Sequence, residues 1–225
     1  MTQNKMDNLY FGIGGEHYVM GNFIMRGYEA VKLSPDIGYD IHVTNKHMVM
    51  NGRQSIDESY YLQVKTRLIR PESSDKIVTF YIENDRVNQM ISDNTAILVC
   101  VMVKGVIPFD SFSSDPLHTW DTNESSGSQY NLDKSIYSEF DIFGNFWLSN
   151  LDLKFLKQNN YLGDDHKNGV HYKTIKYNFF DSSILIVKEK DSDDWDQLFI
   201  TSSRQYLFSI TNLSNWSAEH RRLKL

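Results

Sequence analysis

Val19, Met20, Phe23, Ile24 and Tyr28 recur at the spacing of one helix face. They predict a helix within residues 14–28, with Gly14 and Gly15 suited to its start and Gly27 to its end. Residues 1–9 are polar and read as a loose tail. Residues 31–33 read as a short strand, 34–39 as a turn, and 40–43 alternate as a second strand. The polar stretch 45–59 is long for a hairpin loop, where about 2–5 residues are usual. Residues 60–66 and 77–82 predict further strands. Val87, Met90 and Ile91 predict a helix over 85–92. Residues 96–103 form a continuous apolar run, the mark of a strand buried on both faces.

Beyond this point the pattern changes. Residues 110–133 are rich in Ser, Asp, Asn and Gly and read as a linker or long surface loop. Residues 146–159 predict a helix, and 171–179, 184–188, 197–202 and 206–210 predict strands. No internal repeat or low-complexity tract is visible. Helix, strands, helix and buried strand in succession predict a mixed α/β layer architecture for residues 10–109. Residues 110–225 form a carboxy-terminal α+β extension of unassigned role. A length of 225 residues suits one large domain or two small ones.

Composition narrows the class. The chain is 40% hydrophobic and 13% aromatic, enough for a packed core and against wholesale disorder. The longest apolar run is far short of the ~20 residues that span a bilayer, so no membrane is expected. The single cysteine, Cys100, excludes an internal disulfide framework and sits in a predicted core strand. A lone thiol and no amino-terminal apolar segment fit a cytoplasmic protein. The formal charge is −6, and the second half is the more acidic. That field disfavours non-specific nucleic-acid affinity, while leaving room for a local basic groove within a ~10 Å Debye length.

The candidate chemistry comes from strand alternation. In residues 40–43, Asp40 and His42 share a face; in residues 61–65, Gln63 and Lys65 share one. Paired as a hairpin, these strands bring Asp40, Gln63 and Lys65 together. Glu16 falls on the apolar stripe of the preceding helix and can point at the same place. Mg²⁺ or Mn²⁺ prefers hard oxygen ligands. Asp40 and Glu16 supply carboxylates, Gln63 an amide oxygen, and Val64 its backbone carbonyl. Lys65 supplies a point charge to orient water or stabilise a pentavalent phosphate. The combination suits phosphodiester hydrolysis.

Gly15-Glu16, Gly38-Tyr39-Asp40-Ile41 and Leu62-Gln63-Val64-Lys65-Thr66, in that order, resemble the PD-(D/E)XK nuclease superfamily, most closely its Q-x-K variants. The resemblance covers about residues 14–104. It implies a restriction-endonuclease-like fold, with a central mixed sheet flanked by helices. It implies Asp40 as metal-binding aspartate, Gln63 in place of the usual acid, Lys65 as catalytic lysine and Glu16 as an added helical ligand. The implied activity is that of a Mg²⁺- or Mn²⁺-dependent DNA endonuclease in bacterial defence, recombination or repair, with RNA not excluded. A homodimer, and a partner ATPase or defence protein, are implied possibilities. Neutral Gln63 leaves two formal negative charges rather than three, so a catalytically inactive module that binds nucleic acid or protein is the alternative.

Each residue also has an ordinary reading. Glu16 suits a helix start, Asp40 or Asp36 a turn, and Gln63 and Lys65 a solvent-facing strand. Lys46, Arg53, Arg67 and Arg70 are candidates to hold a phosphate backbone, or are charged surface. His42 is a candidate to line the site, whereas His17 points about 100° from Glu16 on a helix. The aspartates at 191, 193, 194 and 196 read as a solvated loop, and Asp164, His166 and His171 as a weaker polar cluster.

Overall fold

The computed structural model describes residues 3–35, 37–69, 76–106, 139–187, 195–199 and 205. Asp36, Arg70, the expected linker at 110–133, residues 191, 193 and 194 of the expected acidic loop, residues 200–202 and the expected strand at 206–210 lie outside the described residues, while Asp196, expected in that loop, is a strand residue.

The first helix, α1, spans Gln3–Ile24. It is followed by β1 (Glu29–Lys32), β2 (Ile41–Thr44), α2 (Lys46–Met50), β3 (Ser59–Ile69), β4 (Ile77–Glu83), α3 (Asn84–Ser92) and β5 (Ala96–Val106). The later elements are β6 (Glu139–Ser149), α4 (Asn150–Gln158), β7 (Gly163–Lys167), β8 (Val170–Asn178), β9 (Ser183–Val187) and β10 (Trp195–Phe199). The central sheet has the order β1-β2-β3-β5-β6. Within it β3 and β5 run parallel and the other described neighbours antiparallel, so the sheet is mixed. A second, antiparallel sheet has the order β10-β9-β8-β4, with β7 also on β8. Strands on both sides of the boundary at residues 109 and 110 therefore build each sheet.

Strand β5 shows why the layers stack as they do. Ala96, Leu98, Cys100 and Met102 face one core with Phe80, Ile82, Val87, Met90, Leu153 and Leu156. Ile97, Val99, Val101 and Val103 face another with Val19, Phe23, Met48 and Trp147. A strand with apolar residues at every position is buried on both faces, and this one has helices α1 and α2 on one side, and α3, α4 and the second sheet on the other. Cys100 is core, and burial pushes its thiol pKa up. Among the described residues no helix is long and apolar enough to cross a membrane.

Three expectations are corrected. Residues 3–9 belong to α1 and are not a tail. The apolar stripe already begins at Phe11, which packs with Tyr18 and Met20 against the core, so the glycine pair sits inside the helix. Residues 146–149 are strand and not helix. Phe146, Trp147 and Leu148 are buried in succession and pair with β5, which a helix with one polar face does not permit. The boundary is a capping box: Ser149 accepts from the Asp152 amide, and Asp152 accepts from the Ser149 amide at 2.7 Å. The loop at 45–59 contains α2, anchored by buried Met48.

Candidate active site

Strand β3 outruns its neighbour. Its pairing with β2 covers only Ser59 to Leu62. Past that point Asp40, just before β2, takes over where the strand ladder stops. The Asp40 amide donates to the Leu62 carbonyl at 2.8 Å. Asp40 Oδ2 accepts from the Val64 amide at 2.6 Å and from Gln63 Nε2. A backbone N–H that would otherwise need a strand partner is satisfied by a carboxylate.

The turn carrying Asp40 is itself fixed. Gly38 has φ +100°, a conformation glycine adopts without strain, and lies against Arg86 and Gln89 of α3. Tyr39 is buried and donates to Asp93 Oδ2 at 2.9 Å. Burial raises the Tyr39 pKa, and Asp93 adds to the shift. Burial alone would raise Asp93, but bonds from Thr95 and Tyr39 bring it below the ordinary carboxylate value.

Glu16 arrives from the other side. A Cβ at Gly15 would collide with Thr66 Oγ1 of β3, so glycine there lets α1 lie close to the strand. Glu16, on the next residue, is mostly shielded and pairs with Lys32 of β1 at 2.7 Å.

Gly12, Glu16, Asp40, Gln63, Val64, Lys65, Thr66 and Arg67 line one cleft of about 500 Å³. All five residues expected to hold the metal or act in catalysis are therefore on this cleft, together with Arg67. Lys46, at the start of α2, and Arg53, just after it, are exposed and do not line this cleft. His42 bonds Ser59 Oγ at 2.8 Å and stacks on Tyr61. His17 is exposed on α1.

The remaining wall was not anticipated. It consists of Tyr81 of β4, Lys167 of β7 and Tyr172 of β8. Lys167 Nζ lies 3.7 Å from the centre of the Tyr81 ring, and the Arg67 guanidinium carbon 5.0 Å. Tyr81 raises the Lys167 pKa, and burial lowers that of Arg67. Arg67 Nε also donates to the Thr79 carbonyl at 3.1 Å. The cluster around Asp164 is a separate surface ion pair with Lys173 at 2.6 Å and His171 at 2.8 Å.

Among the described residues no group of three His, Cys, Asp or Glu stands together. The cleft offers two carboxylates and an amide. Because Gln63 donates to Asp40 through Nε2, Oε1 is the amide atom suited to a cation. Mg²⁺ is commonly held by one or two carboxylates plus waters and substrate phosphate, so this donor set fits it. No protein-family model, curated protein or solved structure matches the chain.

Proposed function

We propose that the chain is a metal-dependent nuclease with a restriction-endonuclease-like core, acting on DNA or RNA by phosphodiester hydrolysis. The convergence of Glu16, Asp40, Gln63 and Lys65 on one cleft from α1, the β2 turn and β3 carries this reading. Asp40, Glu16, the Gln63 amide oxygen and the Val64 carbonyl are the residues to hold Mg²⁺ or Mn²⁺. The bound metal would polarise the phosphate and lower the pKa of its water. Lys65 places a fixed positive charge where charge develops on the phosphoryl oxygens. Arg67 remains charged despite burial and neutralises the neighbouring phosphate. Gln63 keeps Asp40 oriented before any cation binds, which a second carboxylate at hydrogen-bond distance would not do.

A second reading is favoured by a particular observation. Asp40 Oδ2 already accepts from Gln63 and Val64, and Glu16 already has Lys32 as its ion-pair partner, so both carboxylates have protein partners. A restriction-endonuclease-like module that binds nucleic acid or protein without cleaving it accounts for carboxylates that already have protein partners.

Cleavage of supercoiled plasmid and of end-labelled oligonucleotides in Mg²⁺, Mn²⁺ or EDTA separates the two. Metal-dependent cleavage that both Asp40→Ala and Lys65→Ala abolish supports the nuclease. Binding without cleavage by folded wild-type protein supports the module.

A further inference from the structure

The wall formed by the second sheet gives the cleft a shape and chemistry that the metal-binding residues do not need. Tyr172 and Tyr81 meet edge to face at 6.3 Å between ring centres. Arg67 and Lys167 are both drawn to the Tyr81 ring, and Tyr172 is only half-buried on the same cleft. The β7–β8 hairpin that carries Lys167 and Tyr172 turns through Asn168 and Gly169, both at positive φ. An Asn-Gly pair of this kind is a tight two-residue turn matched to strand twist, so the wall is stiff.

We infer that this wall is a subsite for one nucleotide of a single-stranded nucleic acid, with a base stacked on Tyr172 and its phosphate between Lys167 and Arg67. The inference rests on the nuclease reading for the position of the reacting phosphate, beside Asp40 and Lys65. Three observations carry it. An aromatic face beside cations is the recurring platform for unpaired bases, whereas bases in a duplex are already stacked. A cleft of about 500 Å³ is in the range of a small-ligand site. Among the described residues the cationic side chains lining the cleft are Lys65, Arg67 and Lys167, the last also paired with Asp165 at 3.3 Å, within a chain of net charge −6. Duplex binding draws on many phosphate contacts; three cations suit a short strand.

The test is fluorescence anisotropy of labelled oligothymidylate, oligouridylate and a mixed-sequence duplex of equal length, in EDTA so that hydrolysis is absent. Single strands are expected to bind at least about tenfold tighter than duplex. Tyr172→Ala is expected to weaken single-strand binding on the order of five- to a hundredfold, since base stacking on an aromatic side chain is worth ~1–3 kcal/mol, and Tyr172→Phe to preserve it. Lys167→Ala should reduce the salt slope by about one. The DNA and RNA arms tell which sugar the subsite takes. Duplex binding equal to or tighter than single-strand binding overturns the inference, as does an unchanged affinity for Tyr172→Ala folded by circular dichroism. Metal-dependent cleavage that persists without any Tyr172 effect on binding defeats the subsite alone. Tyr172-dependent binding without cleavage supports the subsite and defeats the nuclease reading alone.

Discussion

Strand β3 has two halves with different duties. From Ser59 to Leu62 it is flanked by β2 and β5, and Tyr60 and Leu62 are buried in the core against α1. From Gln63 onward β5 continues alongside, but β2 has ended. In this second half Gln63, Lys65 and Arg67 replace Tyr61 on the face opposite α1, and all three line the cleft. The backbone is continuous and the sheet geometry unchanged. What differs is the loss of one neighbour, which leaves an amide for Asp40 to accept from and space for a cleft. A site can thus be built on a rigid central strand by stopping the adjacent one early.

The largest expected effect breaks the comparison on the functional side. Lys65→Ala should lower metal-dependent cleavage about 10²–10³-fold, the usual cost of removing one transition-state charge partner, with urea denaturation nearly unchanged. Leu62→Ala, three residues away and fully buried, should do the reverse. It should cost about 2–5 kcal/mol in urea denaturation, and the folded fraction should retain its cleavage rate. If both variants lose stability equally, the two halves do not differ as described.

Much of the half that lines the cleft was legible because alternation has a period of two. Asp40, Gln63 and Lys65 follow from two short strands and their pairing, and Glu16 from its position on an apolar stripe. Tyr81, Lys167 and Tyr172 were not legible, because they meet only through the pairing of β4 with β8 across about ninety residues, a long-range register that local pattern does not encode. The same limit hid β6. Its apolar run 146–148 fits a strand or a helix equally well, and Ser149-x-x-Asp152 was the overlooked mark of the true boundary. Gly15, whose type suits a helix start, lies inside α1, where its absent side chain serves close packing on Thr66.

Smaller effects sharpen the picture. Gly15→Ala should destabilise by about 1–3 kcal/mol through overpacking, and Thr66→Ala in the same chain should recover part of it, measured as a double-mutant cycle. Gln63→Glu should set two carboxylates against each other in the metal-free protein. It should lower the thermal midpoint in EDTA and make that midpoint rise with Mn²⁺ more steeply than in wild type. Unchanged midpoints under both conditions would remove Gln63 from the cation site.

The smallest effect concerns the turn that holds Asp40. Asp93 has a depressed pKa in the folded chain, so its contribution to stability is present above the unfolded value of ~3.9 and is lost as pH falls through the lower folded value. Asp93→Asn should flatten the acid limb of the stability curve in that window and leave the neutral-pH limb parallel to wild type.

The most direct test of the site is a Mn²⁺ titration by calorimetry on wild type and Asp40→Asn, with plasmid cleavage measured on the same samples. The expected result is saturable binding that Asp40→Asn weakens at least about tenfold, with cleavage lost in parallel. Folded wild-type protein that binds no Mn²⁺, or binds it equally well without the Asp40 carboxylate, would contradict a metal-dependent nuclease site on this cleft.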